Sequence, residues 1–335
     1  MVAMYVVLDG FDLGAGIVHL NVARTENERR AVLKSIGPVW DGNEVWLLAG
    51  GGALYFAFPA LYASSFSGFY LPLMIVLWLL ILRGVAVEFR SHIDNPVWKP
   101  FWDAVFCLAS ALLAIFFGAA LGNVVRGVPL NAQGEFFLPL WTNFVPGPEP
   151  GILDWYTILI GVFAFLTLMQ HGALWVTYKT ENGVRERAQA VASLAWYGVA
   201  AMTVIATAVS FRVQPKLAQS FSEMPLGYVF PALALAGLGG TWHFHRRGRE
   251  LEAFLSSALY IIGMLTSVVF GVFPWVLPAV SDPQLSLTIH NASAPAYGLR
   301  IGLMWFTPGI LLAAGYFFFL YRKFAGKVRL DEGHY

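Results

Sequence analysis

The stretch VAMYVVLDGFDLGAGIVHLNVA, residues 2–23, decides how the rest of the chain is read. As an α-helix its 22 residues reach about 33 Å, enough to cross a bilayer. Yet two carboxylates, Asp9 and Asp12, stand well inside the apolar run. Acids at that depth are costly, so each is a functional hypothesis by default. A spacing of three puts them on one helix face, Asp12 about 13 Å from the end near Asn21 and Asp9 about 5 Å further. A second acid pair with the same spacing follows in Gly37-Pro38-Val39-Trp40-Asp41-Gly42-Asn43-Glu44.

Beyond these motifs the composition is that of a membrane protein. Hydrophobic residues make up 58% of the 335, charged residues 12%, and the mean hydropathy is +0.63. A soluble domain carries about a quarter charged residues. The net charge of +1 gives no basic field for nucleic acid. The single Cys107 excludes a disulfide framework and a cysteine-based metal site, and reads as a packing residue. The N-terminus lacks a charged n-region and a small-residue cleavage site, so no cleavable signal peptide is expected.

Apolar runs and Gly/Pro punctuation predict an all-α polytopic fold with nine transmembrane helices, near 1–23, 43–65, 68–89, 103–125, 152–178, 188–211, 225–244, 251–277 and 297–321. The expected organisation is one integral-membrane domain over 1–335, with helices 1–4 in about 1–125, helices 5–8 in about 152–277 and helix 9 at about 297–321. Of the 21 Lys and Arg residues, sixteen fall in the odd-numbered gaps and the C-terminal tail and three in the even-numbered gaps. This bias places the odd gaps and C-terminus in the cytoplasm and the N-terminus outside. The long outer gap, 126–151, reads as an interfacial aromatic collar. Gly50-Gly51-Gly52 reads as close packing of small residues, with a locally opened helix as the alternative.

A short connection makes helices 1 and 2 antiparallel neighbours. Asp41 and Glu44 then stand at the cytoplasmic mouth and Asp12 and Asp9 at depth, a ladder suited to passing protons, with Trp40 shielding the mouth. The plainer reading makes Asp41 and Glu44 acids that match a helix dipole and Asp9 a hydrogen-bonding partner of a neighbouring helix. Arg83, Glu88 and Arg90 read as a structural ion-pair set anchoring the inner end of helix 3. Only His19, His171 and His243 of the seven histidines fall in or at the edge of helices, and nothing in their spacing supports a bis-histidine haem. Each reads as a structural, hydrogen-bonded histidine, so no haem or metal ligand is expected from this chain.

Asp9-Gly-Phe-Asp-Leu-Gly14, followed by Ser35-Ile-Gly-Pro-Val-Trp-Asp-Gly-Asn43 and Glu44-Val-Trp-Leu47, resembles subunit II of the cytochrome bd-type ubiquinol or menaquinol oxidases, cyanide-insensitive members included. So do Phe66-Ser-Gly-Phe-Tyr70-Leu-Pro, the run from Arg83 to Ser91, Trp98 through Asp103, and Ser286-Leu-Thr-Ile-His-Asn-Ala-Ser293. The resemblance extends from about residue 4 to about 320. It implies two four-helix bundles plus one outlying helix, in a bacterial cytoplasmic-membrane complex that oxidises quinol and reduces dioxygen to water. The haems, b and d or b-type, belong to a partner, subunit I; subunit II scaffolds it and lends a proton route through the acids matching Asp9, Asp12 and Asp41, with Trp40. A structural quinone and a small single-helix subunit accompany some members. Family members carry more residues before the first acid motif than the eight here, which raises the expectation that the recorded start is an internal methionine. Two rival readings are a purely structural assembly subunit and a proton-coupled secondary transporter.

Overall fold

In a computed structural model, which describes residues 1–328, helix α1 (Val2–Val22) runs through the interior of the molecule. Around it are α2 (Glu26–Ile36), α3 (Trp40–Ala57), α4 (Pro59–Gly68), α5 (Tyr70–Phe89), α6 (Trp98–Arg126), α7 (Trp155–Lys179), α8 (Asn182–Val213), α9 (Lys216–Glu223), α10 (Val229–Arg246), α11 (Glu250–Val272) and α12 (Ala296–Lys323). One four-helix set comprises α1, the α3–α4 pair, α5 and α6; the other comprises α7, α8, α10 and α11. They meet where α1 and α6 pack on α7. Helix α12 lies to one side with none of its residues buried.

In a lipid environment the burial of α1 owes little to the hydrophobic effect, because lipid tails are as apolar as leucine; close packing must draw the helices together. Glycine makes that possible. A Cβ added at Gly14 would lie 2.0 Å from the Leu168 carbonyl oxygen, and one at Gly172 would lie 2.1 Å from the Gly14 carbonyl carbon. The α1 and α7 backbones therefore touch. At Gly51 and Gly52, by contrast, an added Cβ meets nothing within 4 Å, and α3 stays helical through the glycine run. Neither close packing at all three positions nor a local opening describes that segment.

Among the described residues, seven helices are long and apolar enough to cross a membrane, or eight if α9 and the stretch Pro225–Arg246, bent by 108°, form one span. The predicted count of nine is not reached by this measure. The shortfall lies at 225–244, unless α9 joins it, and at 43–65, which is two helices: α3 ends at Ala57, and α4 restarts at Pro59, whose ring and missing N–H interrupt the backbone ladder. The gap at 24–36, read as a loop, contains α2. A capping box starts it: the Thr25 hydroxyl accepts from the Glu28 N–H at 3.3 Å and the Glu28 carboxylate accepts from the Thr25 N–H at 3.1 Å.

The bundle thus has a basic end, carrying α2, Arg90, Lys99 and the C-terminus of α12, and a far end. At the far end the segments 127–154 and 273–295 pack together as a cap. Val128, Leu130, Phe136, Leu138 and Leu287 are buried together there, while Phe137, Trp141 and Phe144 remain exposed. Below the cap Arg126 at the end of α6 is ion-paired with Asp154, the N-cap of α7.

Candidate functional site: a charged interior between α1, α3 and α5

Asp9 and Asp12 are both buried on α1, at 0% and 1% exposure, so neither carboxylate is solvated. Each has a different partner. Asp12 Oδ2 accepts a hydrogen bond from Asn43 Nδ2 at 2.8 Å, and Asn43 Oδ1 in turn accepts from the Tyr321 hydroxyl of α12 at 2.7 Å. Asn43 Nδ2 also approaches the Leu8 carbonyl at 3.4 Å. With the tyrosine donating to the amide oxygen, the amide N–H groups face α1 and donate to Asp12. Its other oxygen, Oδ1, has no protein partner.

Asp9 is held differently. Its Oδ1 accepts from Arg83 Nη1 at 2.5 Å, and Arg83 Nη2 donates to Glu44 at 3.0 Å. The Arg83 side chain is 2% exposed and that of Glu44 26%. The Arg83 guanidinium stands 5.9 Å from the centre of the Trp40 ring. A buried cation between two acids is what the low dielectric demands, since an unpaired charge there is strongly disfavoured.

The predicted site residues therefore divide. Asp9, Asp12, Glu44 and Trp40 come together around Arg83 and Asn43. Asp41, in the first turn of α3, is exposed and makes no side-chain hydrogen bond or ion pair among the described residues. Glu44, one helical turn further in and 26% exposed, is joined through Arg83 to Asp9. The grouping of Arg83, Glu88 and Arg90 as one ion-pair set also separates. Arg83 turns inward to Asp9 and Glu44. Glu88 is exposed, pairs with neither arginine, and offers its backbone carbonyl to His92 Nδ1 at 2.9 Å. Arg90 joins a cluster the sequence reading missed. A surface recess lined by Arg30, Lys34, Trp40, Glu88, Ser91 and His92 opens at this end.

The centre of that missed cluster is Asp103 in the first turns of α6, fully buried. It accepts from His19 Nε2 at 2.7 Å, from Arg90 Nε at 2.6 Å and Nη2 at 3.0 Å, and from Arg29 Nη1 at 3.1 Å. Arg90 reaches on to both oxygens of Glu26, at 3.0 and 2.8 Å. Four helices, α1, α2, α5 and α6, are tied at the basic end in this way. The Arg90 hydrogen bond holds the Glu26 carboxyl below its ordinary value. His171, the other interior histidine, meets the Val7 carbonyl at 2.9 Å and the Ser257 hydroxyl at 2.6 Å. Among the described residues no three His, Cys, Asp or Glu side chains converge as a metal site would require.

A multi-pass helical bundle whose first, third and fifth helices enclose a buried acid–arginine–acid chain is, in class, an integral-membrane protein with a charged interior. The chain belongs to the cytochrome bd terminal oxidase subunit II family, whose model matches residues 1–324. It is 33% identical over 347 residues to the probable cytochrome oxidase subunit 2 of Haemophilus influenzae, covering 96% of this chain and 90% of that one. Against the cytochrome bd ubiquinol oxidase subunit 2 of Bacillus subtilis the identity is 30% over 327 residues, covering 94% and 91%. The fold matches a chain in the structure of the bd oxidase from Geobacillus thermodenitrificans with a TM-score of 0.73 over 96% of this chain and 94% of that one, at 19% identity. At that identity the structural likeness speaks for the fold alone.

Proposed function

We propose that this chain is the haem-free accessory subunit of a bacterial membrane quinol:oxygen oxidoreductase, a terminal oxidase of aerobic respiration. It scaffolds the haem-bearing subunit I and supplies part of a proton path from the cytoplasm. The names of its relatives, ubiquinol oxidase subunits, support the activity of the complex. In this reading the b and d haems sit in subunit I, and a structural quinone and a small single-helix subunit are further components the complex admits. The positive-inside bias of the sequence supports a cytoplasmic basic end and an outer N-terminus.

The observation that carries the proton path is Asp12: a buried carboxylate on the central helix, with one oxygen clasped by Asn43 and the other open. Protons enter at the basic end past exposed Asp41 and Trp40, reach Asp12, and pass on to Asp9. Its ion pair with Arg83 gives Asp9 a structural part as well. Asp12 has no such cation partner within 4 Å among the described residues, so its charge is the one left free to change. The Asp103 cluster is structural in this reading.

The reading as an oxidase subunit is tested by a reduced-minus-oxidised spectrum of the chain purified alone and together with its co-expressed partner. Haem absorption and quinol-dependent oxygen uptake are expected only with the partner. Haem in the isolated chain would overturn the assignment, and the absence of any stable haem-bearing partner would return the transporter reading.

A further inference from the structure

Tyr5, Asp9 and Asp12, spaced by four and three residues, share one face of α1. Each is buried; the Tyr5 hydroxyl lies within hydrogen-bonding reach of the Asp9 carboxylate, and Asp12 Oδ1 has no protein hydrogen-bond partner. Tyr5 is 4% exposed, its ring packed edge-on against Phe117 at 5.6 Å, and the charged groups facing its hydroxyl are Asp9, Arg83 and Glu44. A buried donor without a protein partner, Arg83 Nε, belongs to the guanidinium that pairs with Asp9. Helix α3 runs antiparallel to α1, with Asn43 at Leu8 and Gly50 beside Val2.

Buried polar atoms in folded proteins find partners, and those left unpaired on this face of α1 and on Arg83 need an explanation. Both a donor and acceptors are represented. Water is the group that serves both. We propose that this junction is a water-binding site and that Tyr5 is a further proton-handling residue. Its hydroxyl, beside Asp9 and joined to Asp12 by bound water, carries the line one turn further towards the far end. The inference rests on the proton-path reading. A hydroxyl accepts a proton from water on one side as it releases its own on the other, so charge balances at Tyr5 and the step needs no stable phenolate.

If the hydroxyl had no such part, Tyr5→Phe would leave turnover unchanged, because it removes only a buried hydroxyl and keeps the ring. The experiment measures quinol-driven oxygen uptake per haem in the assembled oxidase for the parent, Tyr5→Phe and Asp12→Asn. Thermal stability and the H2O/D2O rate ratio are measured on the same samples. The expected result for Tyr5→Phe is turnover lower by about fivefold or more, the scale of one lost hydrogen bond at the barrier, with Tm unchanged or raised and a larger isotope ratio. Full turnover in Tyr5→Phe with loss in Asp12→Asn would overturn the role of Tyr5 alone. Full turnover in both would overturn the proton path itself. Counting per haem removes differences in assembly.

Discussion

Arg83→Met tests the buried ion chain most severely. The substitution keeps an unbranched apolar stem of similar reach and deletes the guanidinium that joins Asp9 to Glu44. Both side chains of the Arg83–Asp9 pair are almost fully buried, at 2% and 0% exposure, so removing the cation leaves a carboxylate without solvent or counter-charge. Breaking one side of a buried pair costs about 3–5 kcal/mol. Glu44, a quarter exposed, adds less because water screens it. At roughly 2–4 °C per kcal/mol the purified oxidase should lose on the order of 10 °C in Tm. The double variant Arg83→Met with Asp9→Asn should recover a large part of that loss, because the orphaned charge is gone. A loss under about 1 kcal/mol, or a double variant whose two losses simply add, would refute the reasoning, since residues in direct contact must couple.

Gly172→Ala should destabilise by about 1–3 kcal/mol or more, because its Cβ lands 2.1 Å from the α1 backbone, while Gly51→Ala should be neutral or stabilising; thermal melts of the two variants check the contrast. Tyr321→Phe strips the donor from buried Asn43 Oδ1 and should cost about 1–3 kcal/mol in the same assay. Tyr316→Phe, at a 57%-exposed position, serves as its control. Glu26 has a carboxyl lowered in the folded protein by its hydrogen bond from Arg90, so its contribution is present above the ordinary value of 4.5 and is lost as pH falls through the lowered one. Tm plotted against pH for the parent and Glu26→Gln should therefore show a gap near neutrality, under about 1 kcal/mol for a carboxylate 43% exposed, that closes on acidification.

The helices and the acid face of α1 were legible because lipid imposes length and apolarity, and because a three-residue spacing fixes a helix face. Pairing across helices was not. Arg83 sits seven residues from Arg90 and five from Glu88, which suggested one cluster; the fold instead turns Arg83 in towards α1 and Arg90 towards α6. A signal was present in the charge balance of the spans, since a buried acid such as Asp9 needs a cation at similar depth and Arg83 is the one the third span carries. Helix α2 was legible in principle from Thr25 and Glu28, a capping box, but its low hydropathy made it read as a gap. The split at Phe58–Pro59 was visible as a proline, yet membrane helices often absorb prolines, so sequence alone does not separate a kink from a break. Asp103 was legible only as the end of the Trp98–Asp103 motif; its three partners come from α1, α2 and the end of α5, and only the packed bundle brings them together.

The central claim is that Asp12 carries protons, and Asp12→Asn measures it most directly. The variant preserves size and a hydrogen bond to Asn43 but cannot gain or lose the proton. Oxygen uptake per haem in the assembled oxidase should fall by about tenfold or more, the scale of a lost proton-transfer group, with haem spectrum and Tm little changed. Turnover equal to that of the parent would contradict the account and leave the chain a scaffold.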